Sequence, residues 1–121
     1  MKTKALTDAL RDAVGDGLRT VATGNIEEKS FDIVYMREDI GSLYSEEERE
    51  EILHDLVLEN LVEVRQERLF APLGDLQLTS RVFEYGINVV GWNENAGVFV
   101  GLDPDETLIP TTIRACRSAF D

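Results

Sequence analysis

The 121-residue sequence predicts one α+β domain spanning residues 1–121: a five-stranded antiparallel sheet with helices on both faces, in the order α-β-β-α-β-β-β-α. Three observations carry this. The stretch Leu76–Leu102, LQLTSRVFEYGINVVGWNENAGVFVGL, holds three apolar runs punctuated by Gly86 and by Asn93-Glu94-Asn95-Ala96-Gly97, as an antiparallel meander does. Those runs are apolar at both parities. Leu76, Leu78 and Val82 point one way and Phe83 and Tyr85 the other, and Val98 and Val100 oppose Phe99. A sheet with one wet face would be polar at one parity, so both faces are expected to be covered. The third observation is helical periodicity before, between and after the strand runs.

Thr3–Val14 sets Leu6, Leu10, Ala13 and Val14 at helical spacing, with Lys4, Asp8, Arg11 and Asp12 off that stripe. Gly15 and Gly17 then stop the helix, as C-terminal glycines do. Leu18–Thr23 and Ser30–Met36 form a hairpin across the polar connection 24–29, with Phe31, Ile33 and Tyr35 at one parity and Val34 and Met36 at the other. Arg37–Tyr44 is a loop. Ser45-Glu46-Glu47-Glu48 is a capping box opening the second helix, and its acids suit the positive end of the helix dipole. Ile52, Leu53, Leu56, Val57 and Asn60 span an arc of about 140° and are expected to face the sheet. Val62–Phe70 is expected to carry the chain back to the sheet, and Pro72 and Gly74 mark an irregular entry to a third strand near Asp75. After the meander, Asp103-Pro104-Asp105-Glu106 offers a cap. Pro110 cannot lie in a helix interior, so the last helix is expected to start at Ile109–Pro110 and to bury a face with Ile113, Cys116 and Phe120.

Charge is the sharpest compositional fact. Twenty-four acids face twelve bases, a net charge of −12, and the bases are nine Arg against three Lys. Such a surface is expected of a protein adapted to brine, because at 1 M salt the Debye length is only about 3 Å. The basic residues nearest each other, Arg65/Arg68 and Arg114/Arg117, are only pairs. No cluster interleaved with aromatics exists to neutralise phosphates, so no nucleic-acid partner is expected. No apolar run approaches the ~18 residues of a membrane span, and MKTKALTDALRDAVGDG lacks the apolar core of a signal peptide. One cysteine cannot close an internal disulfide, which makes a reducing cytoplasmic setting the expectation.

The chemistry-bearing residues are few. Gly15-Asp16-Gly17 ends a helix instead of opening one and has an acid at its centre, so it is not a phosphate cradle. His54, the single histidine, has Glu50 and Glu51 within reach on its helix, but two ligands fall short of a metal site. Cys116 lies between Arg114 and Arg117 in sequence yet shares the apolar face of Ile113 and Phe120, which predicts a core cysteine instead of a reactive one. Trp92 and Tyr85 are sheet aromatics, expected to fill core between sheet and helix. No nucleophile-elbow pattern is present. No catalytic, cofactor-binding or metal-ligating residue is therefore assigned, and the chain is not expected to be an enzyme.

The element order resembles the roadblock/LC7 domain and its profilin-like relatives, which implies that the first and last helices share one sheet face and the middle helix takes the other. The segments TDALRDAVGDGLR, YSEEEREEI and TSRVFEYGINVV resemble a family of small uncharacterised acidic proteins of halophilic archaea. That resemblance implies a cytoplasmic brine protein and supplies no catalytic residues. Three function classes are open at this point. The leading one is a non-catalytic protein-interaction or scaffold domain, a homodimer with a further protein partner, pairing through His54, Leu58 and Leu61 of the second helix and Leu76 and Leu78 at the sheet edge. Its alternatives are a small-molecule-sensing module, with the ligand between sheet and helix beside Trp92 and Tyr85, and an enzyme with an unrecognised site.

Overall fold

In a computed structural model the first helix, α1 (Thr3–Val14), ends at Gly15, whose φ of +63° is the left-handed conformation that a glycine after a helix adopts. A 3-10 turn (Gly15–Gly17) leads into β1 (Leu18–Asn25) and β2 (Ser30–Met36). Then come α2 (Glu46–Leu69), β3 (Leu78–Phe83), β4 (Gly86–Asn93), β5 (Ala96–Leu102) and α3 (Ile109–Phe120). The structure describes residues 3–25, 27–28, 30–93 and 96–120; for residues 57, 59–64 and 120 it describes the backbone alone. The strands form one antiparallel sheet in the order β2-β1-β5-β4-β3, the α+β architecture that the sequence predicts.

One face of the sheet holds the main core. Leu6, Leu10 and Val14 of α1 and Cys116 of α3 pack on Leu18, Val21, Ile87, Val89, Val98, Val100 and Leu102. The Cys116 thiol has no exposed surface, and burial pushes its pKa up to about 12, as befits a core residue. The opposite face meets α2 through a smaller cluster of Leu56, Val90 and Trp92, edged by Phe31 and Phe99. The first and last helices thus share one face and the middle helix takes the other.

Two irregularities in β1 and β2 decide what each face presents. Leu18 pairs with Leu102 and Thr20 with Gly101, so Arg19 is an extra residue opposite β5. Val21 pairs with Tyr35 and Ala22 with Ile33, so Val34 is an extra residue in β2. Bulges of this kind turn side chains relative to strict alternation. Ile33 and Tyr35 share a parity in the sequence, yet Tyr35 packs against the main core, under a cation–π contact from Arg11, while Ile33 faces the α2 side with Met36.

Three expectations are corrected. The segment Val62–Phe70 does not return the chain to the sheet, because α2 runs on to Leu69: VEVRQERL contains no breaker, and Pro72 is the first residue that cannot continue. The third strand begins at Leu78 instead of near Asp75. Gly74 turns the chain at a φ of +78°, and the Leu76 N–H donates to Glu67 Oε1 (3.1 Å), which holds the entry against α2. Gly86 is not the turn between β3 and β4 but the first residue of β4; Glu84 and Tyr85 make the turn, and a Cβ at Gly86 would strike the Arg19 guanidinium. The capping box is formed as expected, with Ser45 Oγ accepting from the Glu48 N–H (3.1 Å) and Glu48 Oε1 accepting from the Ser45 N–H (2.9 Å). The last helix starts at Ile109, with Pro110 in its first turn and Asp105 capping the 3-10 turn before it.

Arg37, just past β2, staples three segments. Its guanidinium donates to both oxygens of Asp103 (2.8 and 2.9 Å), to both oxygens of Asp39 (2.7 and 3.1 Å) and to the Asp16 carbonyl (2.7 Å). The carboxylates of Asp103 and Asp39 hold its pKa above the ordinary arginine value. Paired charge-assisted bonds are the strong kind, although the site is partly open to solvent, which weakens them. Replacing Arg37 with Met should cost about 1–2 kcal/mol in urea unfolding, with Asp39→Asn costing clearly less because Asp39 is the more exposed partner. The Asp39 carboxyl is held low by Arg37, that of Glu48 by the backbone N–H and hydroxyl of Ser45, and that of Asp105 by the hydroxyl and backbone N–H of Thr107. A depressed carboxyl contributes stability above its unfolded pKa of about 4 and loses it as pH falls through the folded value. Stability should therefore be flat in pH from 8 to 5 as far as these groups act, and fall below about pH 4.

Candidate functional site

The second helix is a loose roof. Its first turn is fixed by the capping box, but along its 24 residues the apolar side chains spread around the axis instead of forming one stripe. Leu56 is its one buried side chain among those described; Ile52 is exposed and Leu53 half-buried. Beneath the N-terminal half of α2 lies a cleft of about 420 Å³. Its floor on the sheet is made of small residues, Thr20, Ala22 and Gly101, flanked by Phe31, Ile33 and Phe99. Leu53 and Leu56 roof it, and Met36, Ile40 and Tyr44 close one end. Ile52, Leu53 and Leu56 all line the cleft on the sheet side of α2, as expected, but of the three Leu56 alone is buried; Val57 and Asn60 lie outside the described side chains.

Polar groups gather at one end. Arg49, on the first turns of α2, donates from Nη2 to the Gly41 carbonyl (2.8 Å) and approaches Met36 Sδ (4.0 Å). Its Nε is buried with no hydrogen-bond partner among the described residues, and no described carboxylate pairs with it. Glu46 and Glu50 line the same cleft as exposed residues. Arg19, turned by its bulge, borders the cleft too, but it donates to the Tyr85 carbonyl (2.9 Å) and lies 4.0 Å from Asp103.

Beyond Leu56 the cleft continues as a broader groove of about 920 Å³, where Glu51, His54 and Asp55 of α2 face Arg81 and Phe83 of β3. Of the sequence-predicted interface residues with described side chains, His54 lines this groove and Leu58, Leu76 and Leu78 do not. His54 and Leu58 are exposed on α2, and the Leu61 side chain lies outside the described residues. Leu76 and Leu78 are half-buried at the start of β3; Leu78 packs against the main core and covers Gly91. The two aromatics do not line the cleft. Trp92 is buried over Gly97 and meets Phe31 edge to face (5.6 Å), while Tyr85 is 78% exposed because it sits in the turn. A ligand space between sheet and helix was among the sequence readings, but its lining was hidden: Ala22 and Gly101 read as ordinary strand residues, and the bulge that turns Arg19 has no local signature.

Among the described residues no three His, Cys, Asp or Glu side chains converge as metal ligands, and no helix is long and apolar enough to cross a membrane. His54 lies beyond Leu56, in the adjoining groove, and does not line the cleft, and the one cysteine is buried on the other face of the sheet. The cleft offers shape, apolar surface and a cation without a described carboxylate partner.

Solved structures with the same fold include a roadblock/LC7 domain from Streptomyces avermitilis, with a TM-score of 0.60 and 11% identity over 93% of this chain and 90% of that one. The gliding protein MglB from Thermus thermophilus matches with a TM-score of 0.59 and 12% identity over 98% of this chain and 87% of that one. At such identities the likeness is one of fold. No curated protein matches the chain. A family model matches residues 4–121, and the chain belongs to that family, the domain of unknown function DUF7522.

Proposed function

We propose that this chain is a non-catalytic protein-interaction domain of a salt-rich cytoplasm that works as a homodimer, joined along α2 and the β3 edge. The observation that carries the reading is the β3 edge itself. β3 pairs with β4 on one side only, and Val82 and Phe83 are 65% and 55% exposed there. Such an edge presents free backbone groups that a two-fold mate satisfies. His54 of α2 shares a groove with Arg81 and Phe83 of this strand, Leu58 is exposed on the same helix, and Leu69, Phe70 and Leu73 add exposed apolar surface where that helix ends. The Lys-poor charge of −12 supports the salt-rich setting.

Light scattering on the purified chain in 2–3 M KCl tests this. The expected mass is twice the 13.6 kDa of one chain, and Leu58→Glu with Phe83→Glu should return a folded monomer. A wild-type monomer at hundreds of micromolar refutes the dimer.

A further inference from the structure

We propose that the 420 Å³ cleft between α2 and the sheet is a binding site for a small apolar carboxylate, a medium-chain fatty acid in size and chemistry. The volume falls within the range of small-molecule sites and suits a chain of about eight to twelve carbons. The floor makes the space. Thr20, Ala22 and Gly101 lie at the centre of the sheet, and a Cβ built on Gly101 meets its nearest atoms at 3.5–3.7 Å, an ordinary contact distance. Packing therefore does not force a glycine there; a larger side chain would occupy the cleft. Phe31, Ile33, Phe99, Leu53 and Leu56 supply flat apolar walls for a hydrocarbon tail.

The polar end selects the head group. An unpaired buried donor on a cation is costly, and Arg49 holds one at its Nε in a chain with twice as many acids as bases. Guanidinium groups bind carboxylates by parallel donors. Glu46 and Glu50 are exposed at the same end, where water screens them, and they disfavour any ligand carrying more than one negative charge. A single carboxylate on an apolar body neutralises the Arg49 guanidinium, which lines the cleft, and fills the slot. An amine would meet the cation, and an alcohol would leave it unneutralised. The site lies on the opposite side of Leu56 from the β3 edge and does not depend on dimerisation.

The single tryptophan reports on it, because Trp92 meets the Phe31 ring, which lines the cleft. Decanoate, below its micelle concentration, is titrated into the whole chain in KCl and followed by Trp92 fluorescence, with decanol and decylamine as matched probes. Saturable binding of decanoate is expected, at least about tenfold tighter than either probe, one hydrogen-bonded ion pair being worth about that factor. Arg49→Gln should weaken decanoate about tenfold without changing decanol, Arg49→Lys should recover part of the loss, and Gly101→Leu should abolish binding of both. Equal affinity for the three probes, or full binding by Gly101→Leu, overturns the assignment. If Gly101→Leu fails to fold, NMR contacts between the decanoate methylenes and the Phe31 and Phe99 rings decide: their presence supports the site, and their absence from a saturated complex refutes it.

Discussion

Truncating Leu10 to alanine should remove about 3–4 kcal/mol of stability, whereas Leu53→Ala should cost less than about 1 kcal/mol, both read from urea unfolding at one fixed salt concentration. Leu10 has no exposed surface and sits between α1, α3 and the central strands, where the surroundings cannot collapse into the space left behind. A buried leucine truncation costs its transfer energy plus the cavity. Leu53 already borders open volume, so truncation deletes few contacts and enlarges a cleft that exists. The difference measures the asymmetry of the sheet's two faces. Similar costs for the two variants would show that α2 packs on the sheet as tightly as its counterparts do. The cleft would then be closed in solution, and the ligand site would go with it.

That asymmetry is where legibility in the sequence ends. The meander, the capping box at Ser45 and the late start of α3 at Ile109 were readable because each rests on local chemistry: alternating apolar residues, a hydroxyl with a glutamate three residues on, and a proline without an N–H. Apolar residues at both parities correctly indicated a covered sheet, but they say nothing about how closely a cover fits. Fit depends on Thr20 and Gly101 meeting as partners across β1 and β5, with Ala22 next along the same face, and on the bulge at Val34 that turns Ile33 and Tyr35 to opposite faces. Strict alternation misses both. The end of α2 was misread for a related reason. In the sequence its apolar residues change face midway, from Ile52, Leu53, Leu56 and Val57 to Leu58, Leu61, Val62 and Leu69, so no one stripe marks it as a single element, while backbone propensity continues unbroken to Leu69.

Salt should have the largest effect of all on this chain. A net charge of −12 on a sphere of about 17 Å radius, the size expected of such a domain, repels itself by on the order of 10 kcal/mol at 0.01 M ionic strength. At 1 M, where the Debye length is about 3 Å, the same charge costs roughly 3 kcal/mol. The unfolded chain has about twice the radius or more, and gains only on the order of 3 kcal/mol from the same change. Moving from 0.01 to 1 M KCl should therefore stabilise the fold by roughly 5 kcal/mol, comparable to the whole stability of a small domain. Most of the gain should be complete by 1 M, since screening saturates once the Debye length is shorter than the spacing between charges. Circular dichroism melts across the KCl series check this, and an unchanged midpoint from 0.01 to 1 M would refute it. A charge variant separates self-repulsion from specific ion binding. Neutralising the exposed Asp8, Asp12, Glu47, Glu51, Asp55 and Asp75 to their amides takes the net charge from −12 to −6. Repulsion grows as the square of the charge, so the salt dependence should shrink to about a quarter. A salt dependence that survives undiminished in that variant would place its origin in bound ions and not in the overall charge.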